Sequence, residues 1–180
     1  MPRAKRNAAP DWPREIHRVL RANGVRQVSY VPDAGHIRLI ELCRADRSMC
    51  MVSLTSEEQA MGLAAGGWLG GERSALLMQS SGVGNCVNAL TLVTHCAVPL
   101  VALVTMRGEW GEFNPWQVPM GQSAQAVLSA AGVKTFRLER AEEAAATVEA
   151  AAKLAFDANA VTAVLIAQRM IGTKTFEGAR

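Results

Sequence analysis

The sequence predicts an α/β fold: a single doubly wound domain with a six-stranded, mostly parallel sheet and helices on both faces. Three observations carry this. Six apolar runs alternate with helical segments along the 180 residues. The runs are apolar at consecutive positions, as strands buried on both faces are. Aromatic residues make up only 5%, and the 49% hydrophobic content is mostly Ala, Val and Leu, which suits helices packed closely on a sheet.

The elements follow in order. Residues 1–11 form a basic leader, expected to be flexible. No apolar segment follows its charges, so it is not a signal peptide. Trp12 to Asn23 places Ile16, Val19 and Leu20 on one helical face, and Gly24 stops it. Val25 to Val31 is a strand closed by Pro32. Gly35 to Arg44 is a helix, and Met49 to Leu54 a strand apolar on both faces. Ser56 is suited to cap a helix running to about Leu69, ended by Gly70 and Gly71. Ser74 to Gln79 is the third strand, SSGVGN a turn, and Asn85 to Cys96 a helix. Leu100 to Thr105 is the fourth strand. Residues 107–121, rich in Gly, Pro and Trp, form a long loop. Ser123 to Ala131 (helix), Val133 to Leu138 (strand), Ala141 to Asp157 (helix) and Val161 to Ala167 (strand) complete a domain spanning 12–170. Residues 171–180 are expected to be a flexible tail.

Composition narrows the class. A net charge of +3 is too small to propose nucleic acid as a partner. Cys43, Cys50, Cys86 and Cys96 form no CxxC pair. They are expected to be reduced and mostly buried thiols in a cytoplasmic protein. Ser74 to Met106 carries no charged residue. It is broken by Gly82, Gly84 and Pro99 and contains Asn85, Asn88 and His95, so it is not a membrane span.

In a parallel sheet, sites lie at the carboxyl ends of the strands. Three unusual loops fall there: VPDAGH, SSGVGN and MRGEWGEFNPWQVPMG. The two glycines of SSGVGN let backbone approach a flat ligand or a phosphate. The segment is neither a Walker A loop nor a Rossmann fingerprint. Glu57 and Glu58 open a helix among Ala60, Met61, Ala64 and Ala65, and one of them is expected to point inward. A poorly solvated carboxylate there is suited to sharing a proton with a ring nitrogen. Arg107 stands at the sheet's active edge, as an anion receptor or as the ion-pair partner of Glu109 or Glu112. Asp33 and His36 lie in another loop at that edge. Trp110, Phe113, Pro115, Trp116 and Pro119 form an apolar loop suited to a lid or a subunit interface.

Together these segments resemble the pyrimidine-binding (PYR) domain of thiamine diphosphate (ThDP) enzymes. EQAMGLAAGGWLGG, from Glu58, is similar to that family's Glu-helix pattern. VPDAG from Val31, QSSGVGNCVNALTL from Gln79 and RGEWGEFNPWQVPMG from Arg107 resemble segments of the sulfopyruvate and phosphonopyruvate decarboxylases. The resemblance covers roughly residues 12–170. It implies that Glu58 contacts the pyrimidine N1′, with Glu57 an adjacent decoy, and that Gly82, Val83, Gly84 and Asn85 line the pyrimidine pocket. Asp33 and His36 become candidates for proton transfer, and Arg107 and Gln79 for the substrate's anionic tail. It also implies a β subunit that holds the diphosphate through Mg²⁺, because no GDG motif occurs in this sequence. The implied activity is that of the α subunit of a hetero-oligomeric 2-oxo acid decarboxylase. Sulfopyruvate is the leading substrate, and phosphonopyruvate or another small anionic 2-oxo acid follows. A ThDP carboligase and a non-catalytic binding module of the same fold remain open at this level.

Overall fold

The computed structural model describes residues 10–172. The leader and the tail fall mostly on residues 1–9 and 173–180, outside the described residues. The elements are α1 (Trp12–Ala22), β1 (Val25–Tyr30), α2 (Ile37–Ala45), β2 (Cys50–Ser53), α3 (Gln59–Leu69), β3 (Arg73–Gln79), α4 (Gly82–His95), β4 (Leu100–Thr105), α5 (Val118–Ala130), β5 (Lys134–Leu138), α6 (Ala144–Ala158), β6 (Val161–Ile166) and α7 (Gln168–Ile171). Short 3-10 turns lead into α2, α5 and α6.

The six strands form one sheet in the order β2-β1-β3-β4-β6-β5. Every pairing is parallel. Burial follows position in the sheet. All six residues of β4 and of β6 are buried, whereas β2 and β5 at the edges are largely half-buried or exposed. β2 still uses both of its faces, as the sequence predicts: Met51 packs on one side of the sheet and Val52 on the other, each half-buried because an edge strand has a neighbour on one flank only.

Two cores lie on opposite faces of the sheet. On one, α1, α2 and α6 pack through Ile16, Leu20, Leu39 and Val148 against Val28, Leu77, Leu103 and Val164. On the other, α3, α4 and α5 pack through Met61, Val83, Leu90 and Leu128 against Leu76, Met78, Val104 and Leu165. Adjacent residues of one strand thus feed different cores, which is why the strands carry apolar runs without alternation. Among the described residues no helix is long and apolar enough to cross a membrane.

Four local expectations are corrected. Ser56 does not cap α3; the Gln59 side chain accepts from Thr55 N at 3.1 Å and Thr55 Oγ1 at 3.2 Å instead. SSGVGN is not a separate turn, since α4 begins at Gly82 inside it. α5 begins at Val118 rather than Ser123, with Pro119 in its first turn, where a missing N–H costs nothing. A last short helix runs from Gln168 to Ile171, one residue into the stretch 171–180 expected to be a flexible tail. Cys43 and Cys86 are buried, but Cys50 and Cys96 are exposed, so only two of the four thiols are in the interior.

The start of α5 packs so closely on the loop after β4 that a Cβ at Gly121 would lie 1.7 Å from the Arg107 carbonyl oxygen. Backbone on both sides leaves nothing flexible to yield. Gly121→Ala is therefore expected to cost about 3 kcal/mol or more of stability, read as a lowered denaturant midpoint.

Candidate functional site

The connections define a crevice at the carboxyl edge of the sheet. β1 exits to α2 on one face, and its neighbour β3 exits to α4 on the other. Loops that diverge in this way leave an opening between them. Asp33 stands in it, half-buried. Its carboxylate accepts from Gly35 N at 3.1 Å, Gln79 Nε2 at 2.9 Å and Thr105 Oγ1 at 2.7 Å, tying together the exits of β1, β3 and β4. The Gln79 amide is used at both ends, since its oxygen accepts from Ser81 Oγ at 3.0 Å.

The carboxylate that points inward is Glu57. It is 5% exposed, whereas Glu58 is exposed to solvent. The expectation for Glu58 is thereby corrected. Both residues lie in the turn ahead of α3, which begins only at Gln59, so the periodicity of the helix does not determine their directions. Glu57 Oε2 accepts from Asn85 Nδ2 at 2.8 Å. Its other oxygen lies over Gly82, where a Cβ would come within 2.2 Å of it. The first turn of α4 is thus a glycine cradle for the carboxylate. Cys86 lies below: burial first, and the nearby Glu57 charge second, push its thiol up to about 11. Gly84 and Asn85 are exposed beside the carboxylate, while the Val83 side chain is wholly inside the core. The Val83 side chain therefore lines no pocket.

His36 does not face the crevice. Its ring is completely buried. Nε2 lies 3.2 Å from the Met78 carbonyl and 3.0 Å from that of Leu103, and so donates to backbone. Burial is the main influence on its pKa and lowers it, against smaller opposing effects from Asp33 and the two carbonyls. A neutral, enclosed imidazole joins strands and is out of a substrate's reach, which corrects its expected place.

Arg107 is 7% exposed and holds Glu112 with both arms of its fork, at 2.6 Å from Nε and 2.5 Å from Nη2. It is therefore not a free anion receptor, and its partner is Glu112 rather than Glu109. Glu112 also accepts from Gly108 N at 3.2 Å, Asn114 N at 3.1 Å and Gln168 Nε2 at 2.9 Å. Gln168 is 2% exposed. Its oxygen accepts from Glu109 N at 2.9 Å and Trp110 N at 3.0 Å. The loop after β4 is thus fastened to the end of β6. Arg107 N donates to Ser80 Oγ at 3.1 Å, which links the loop to the segment before the Gly82 cradle. The ion pair with Glu112 was one of the two that the sequence offered for Arg107, whereas nothing in the sequence pattern marks Gln168, because its pairing with Glu112 spans 56 residues.

The Arg107 guanidinium beside Glu112, aided by the three N–H donors and opposed by burial, holds its carboxyl at about 2, below the ordinary 4.5. A carboxyl with a lowered folded-state pKa stabilises the fold above its ordinary value, and loses that contribution as pH falls through the folded value. Stability is expected to drop between about pH 4.5 and 2. Glu112→Gln should remove that part of the acid profile, measured by denaturant midpoints across the range.

The loop after β4 exposes apolar surface. Trp116 is 87% exposed, Trp110 46% and Phe113 45%. Pro115, Trp116, Pro119 and Met120 line a groove that ends at Gly84, since a Cβ there would meet Met120 Sδ at 3.4 Å. Among the described residues no group of three or more His, Cys, Asp or Glu side chains is placed to hold a metal ion.

A buried carboxylate over glycine backbone at the carboxyl edge of a parallel sheet stands where α/β domains bind their ligands. Residues 14–113 match the family described as "Thiamine pyrophosphate enzyme, N-terminal TPP binding domain"; thiamine pyrophosphate is another name for thiamine diphosphate. The sulfopyruvate decarboxylase subunit alpha of Methanocaldococcus jannaschii is 32% identical over 130 residues, 72% of this chain and 77% of that one. The protein of the same name from Methanococcus maripaludis is 30% identical over 152 residues, 84% of this chain and 91% of that one. The fold overlays 2-oxoglutarate:ferredoxin oxidoreductase from Magnetococcus marinus with a TM-score of 0.73 at 12% identity, over 94% of this chain and 34% of that one, a likeness of fold alone. The chain belongs to the thiamine pyrophosphate enzyme family, among the sulfopyruvate decarboxylase α subunits.

Proposed function

We propose that this chain is the pyrimidine-binding subunit of a thiamine diphosphate-dependent decarboxylase, and that Glu57 is the carboxylate that meets the pyrimidine N1′. The observation that carries the proposal is the Glu57–Asn85–Gly82 cradle. It presents one buried carboxylate, held at one oxygen, beside glycine backbone at the site's mouth. When bound, the cofactor supplies the nucleophilic carbon and the electron sink for loss of CO₂.

The chain's own contribution is to hold and move a proton. Glu57 shares a proton with the ring nitrogen opposite it, and its enclosure keeps water from competing for that proton. Asn85 fixes Oε2, which sets the direction of the remaining oxygen. Gly84 and the backbone at Val83 leave room for the ring. Asp33, held by three donors, keeps the exits of β1, β3 and β4 in register at the substrate's side of the crevice. Arg107 and Glu112 hold the loop after β4 rather than the substrate.

The substrate proposed is sulfopyruvate, which takes up one proton and yields sulfoacetaldehyde and CO₂. The names of the relatives support this choice. Diphosphate and Mg²⁺ would be held by a partner β subunit in a hetero-oligomer. The test is CO₂ release from sulfopyruvate, with phosphonopyruvate for comparison, by this chain produced together with its partner in the presence of thiamine diphosphate and Mg²⁺. Turnover of sulfopyruvate at least tenfold above phosphonopyruvate is expected. Equal or reversed rates would sink the substrate assignment. Absence of turnover with any 2-oxo acid would sink the decarboxylase reading.

A further inference from the structure

At the other end of the sheet's carboxyl edge, the exits of β4 and β5 diverge. β4 leaves to α5 on one face, and β5 leaves to α6 on the other, with β6 between them. A cavity of about 540 Å³ lies at this point, lined by Glu109, Trp110, Arg137, Glu139, Arg140, Ala167 and Arg169. Its size is that of a small-molecule site rather than of a lone ion.

The charges in it are unevenly spent. Arg137 and Glu109 neutralise each other through two short hydrogen bonds, at 2.6 and 2.7 Å. Glu139 is 69% exposed and approaches Arg137 at 3.6 Å. Arg140 pairs with Glu143 across an exposed surface, where such pairs contribute little. Arg169 meets no carboxylate within 4 Å among the described residues. Its guanidinium instead lies 5.6 Å from the centre of the Trp110 ring. That contact orients the planar fork beside the cavity and leaves its N–H groups for an oxyanion. Gln168 holds the Trp110 backbone at the cavity's rim, while the indole and Arg169 themselves are exposed to solvent.

We propose that this crevice binds a small organic molecule bearing a tetrahedral oxyanion, a phosphate or a sulfonate, through Arg169 and Arg140. The site is separate from the Glu57 cradle, and the proposal does not rest on the decarboxylase reading. The test is saturation-transfer NMR of phenyl phosphate and of benzenesulfonate with the full chain, at ionic strength fixed with chloride. Saturable binding of at least one probe is expected. Arg169→Ala should weaken it at least tenfold and Arg169→Lys less, because a lysine keeps the charge without the fork. Arg140→Ala, at an exposed position, tests the same site should Arg169→Ala not fold. Glu57→Gln should leave binding unchanged. Preference for the phosphate or for the sulfonate probe identifies which class of ligand is taken. No saturable binding of either probe, or binding indifferent to both arginine substitutions, overturns the proposal. Loss of binding in Glu57→Gln also overturns it, since the probes would then occupy the cradle.

Discussion

Glu57→Gln is expected to reduce decarboxylation by the assembled enzyme at least a hundredfold, while Glu58→Gln stays within about twofold of the parent. The first magnitude is what loss of a positioned acid–base group removes. The amide keeps the size of the side chain and its hydrogen bond with Asn85, by turning its oxygen toward the Nδ2 donor. What it loses is the ability to exchange a proton with the ring nitrogen. Glu58 faces solvent, so its amide changes a surface charge. The measurement is initial-rate CO₂ release for both variants at saturating cofactor, with cofactor binding followed separately. Equal losses in the two variants would show that the carboxylates act interchangeably. A loss confined to Glu58→Gln would mean that the turn before α3 reverses in the assembled enzyme.

Gly82→Ala is expected to match the Glu57→Gln loss, by steric rather than protonic means. The added methyl would lie 2.2, 2.4 and 2.6 Å from Oε1, Cδ and Cγ of Glu57. No heavy atoms tolerate those separations, so the carboxylate must swing out or α4 must shift. Either change breaks the Asn85 hydrogen bond and moves the proton away from the ring nitrogen. The accompanying stability change identifies the cause. With Glu57 present, Gly82→Ala should destabilise. In a Glu57→Ala background the clash is gone. Alanine is there the better helix former by about 1 kcal/mol, and the same substitution should be neutral or stabilising. A double-mutant cycle of denaturant midpoints reads this change of sign. Additive effects would show that Gly82 is required for some reason other than the carboxylate above it.

Much of this architecture is written in the chain. Residues 74–79, 100–105 and 161–166 are apolar at nearly every position. Only a strand covered on both faces can use such a run, so the doubly wound sheet follows from hydrophobic content and spacing. The glycines at 82 and 84 and the paired glutamates at 57 and 58 mark the two segments that form the cradle. The sequence also places Asp33 and Arg107 at the carboxyl edge, because each follows a buried strand.

Tertiary structure decided the rest. One residue along a turn rotates a side chain by about 100°. Before α3 starts, no repeating pattern fixes that rotation, so only packing against Gly82 and Asn85 selects Glu57 over Glu58. His36 reads as a loop histidine, yet it is drawn inside because two strand carbonyls offer its ring an acceptor that water would otherwise provide. Arg107 reads as an anion receptor or as the partner of Glu109 or Glu112, and only the fold, which brings Gln168 onto Glu112 as well, selects the Glu112 pair. Local sequence sets which segments are buried and which are turned. The direction of each polar side chain at an element's end is set by which distant donor or acceptor reaches it, and that is a property of the assembled sheet.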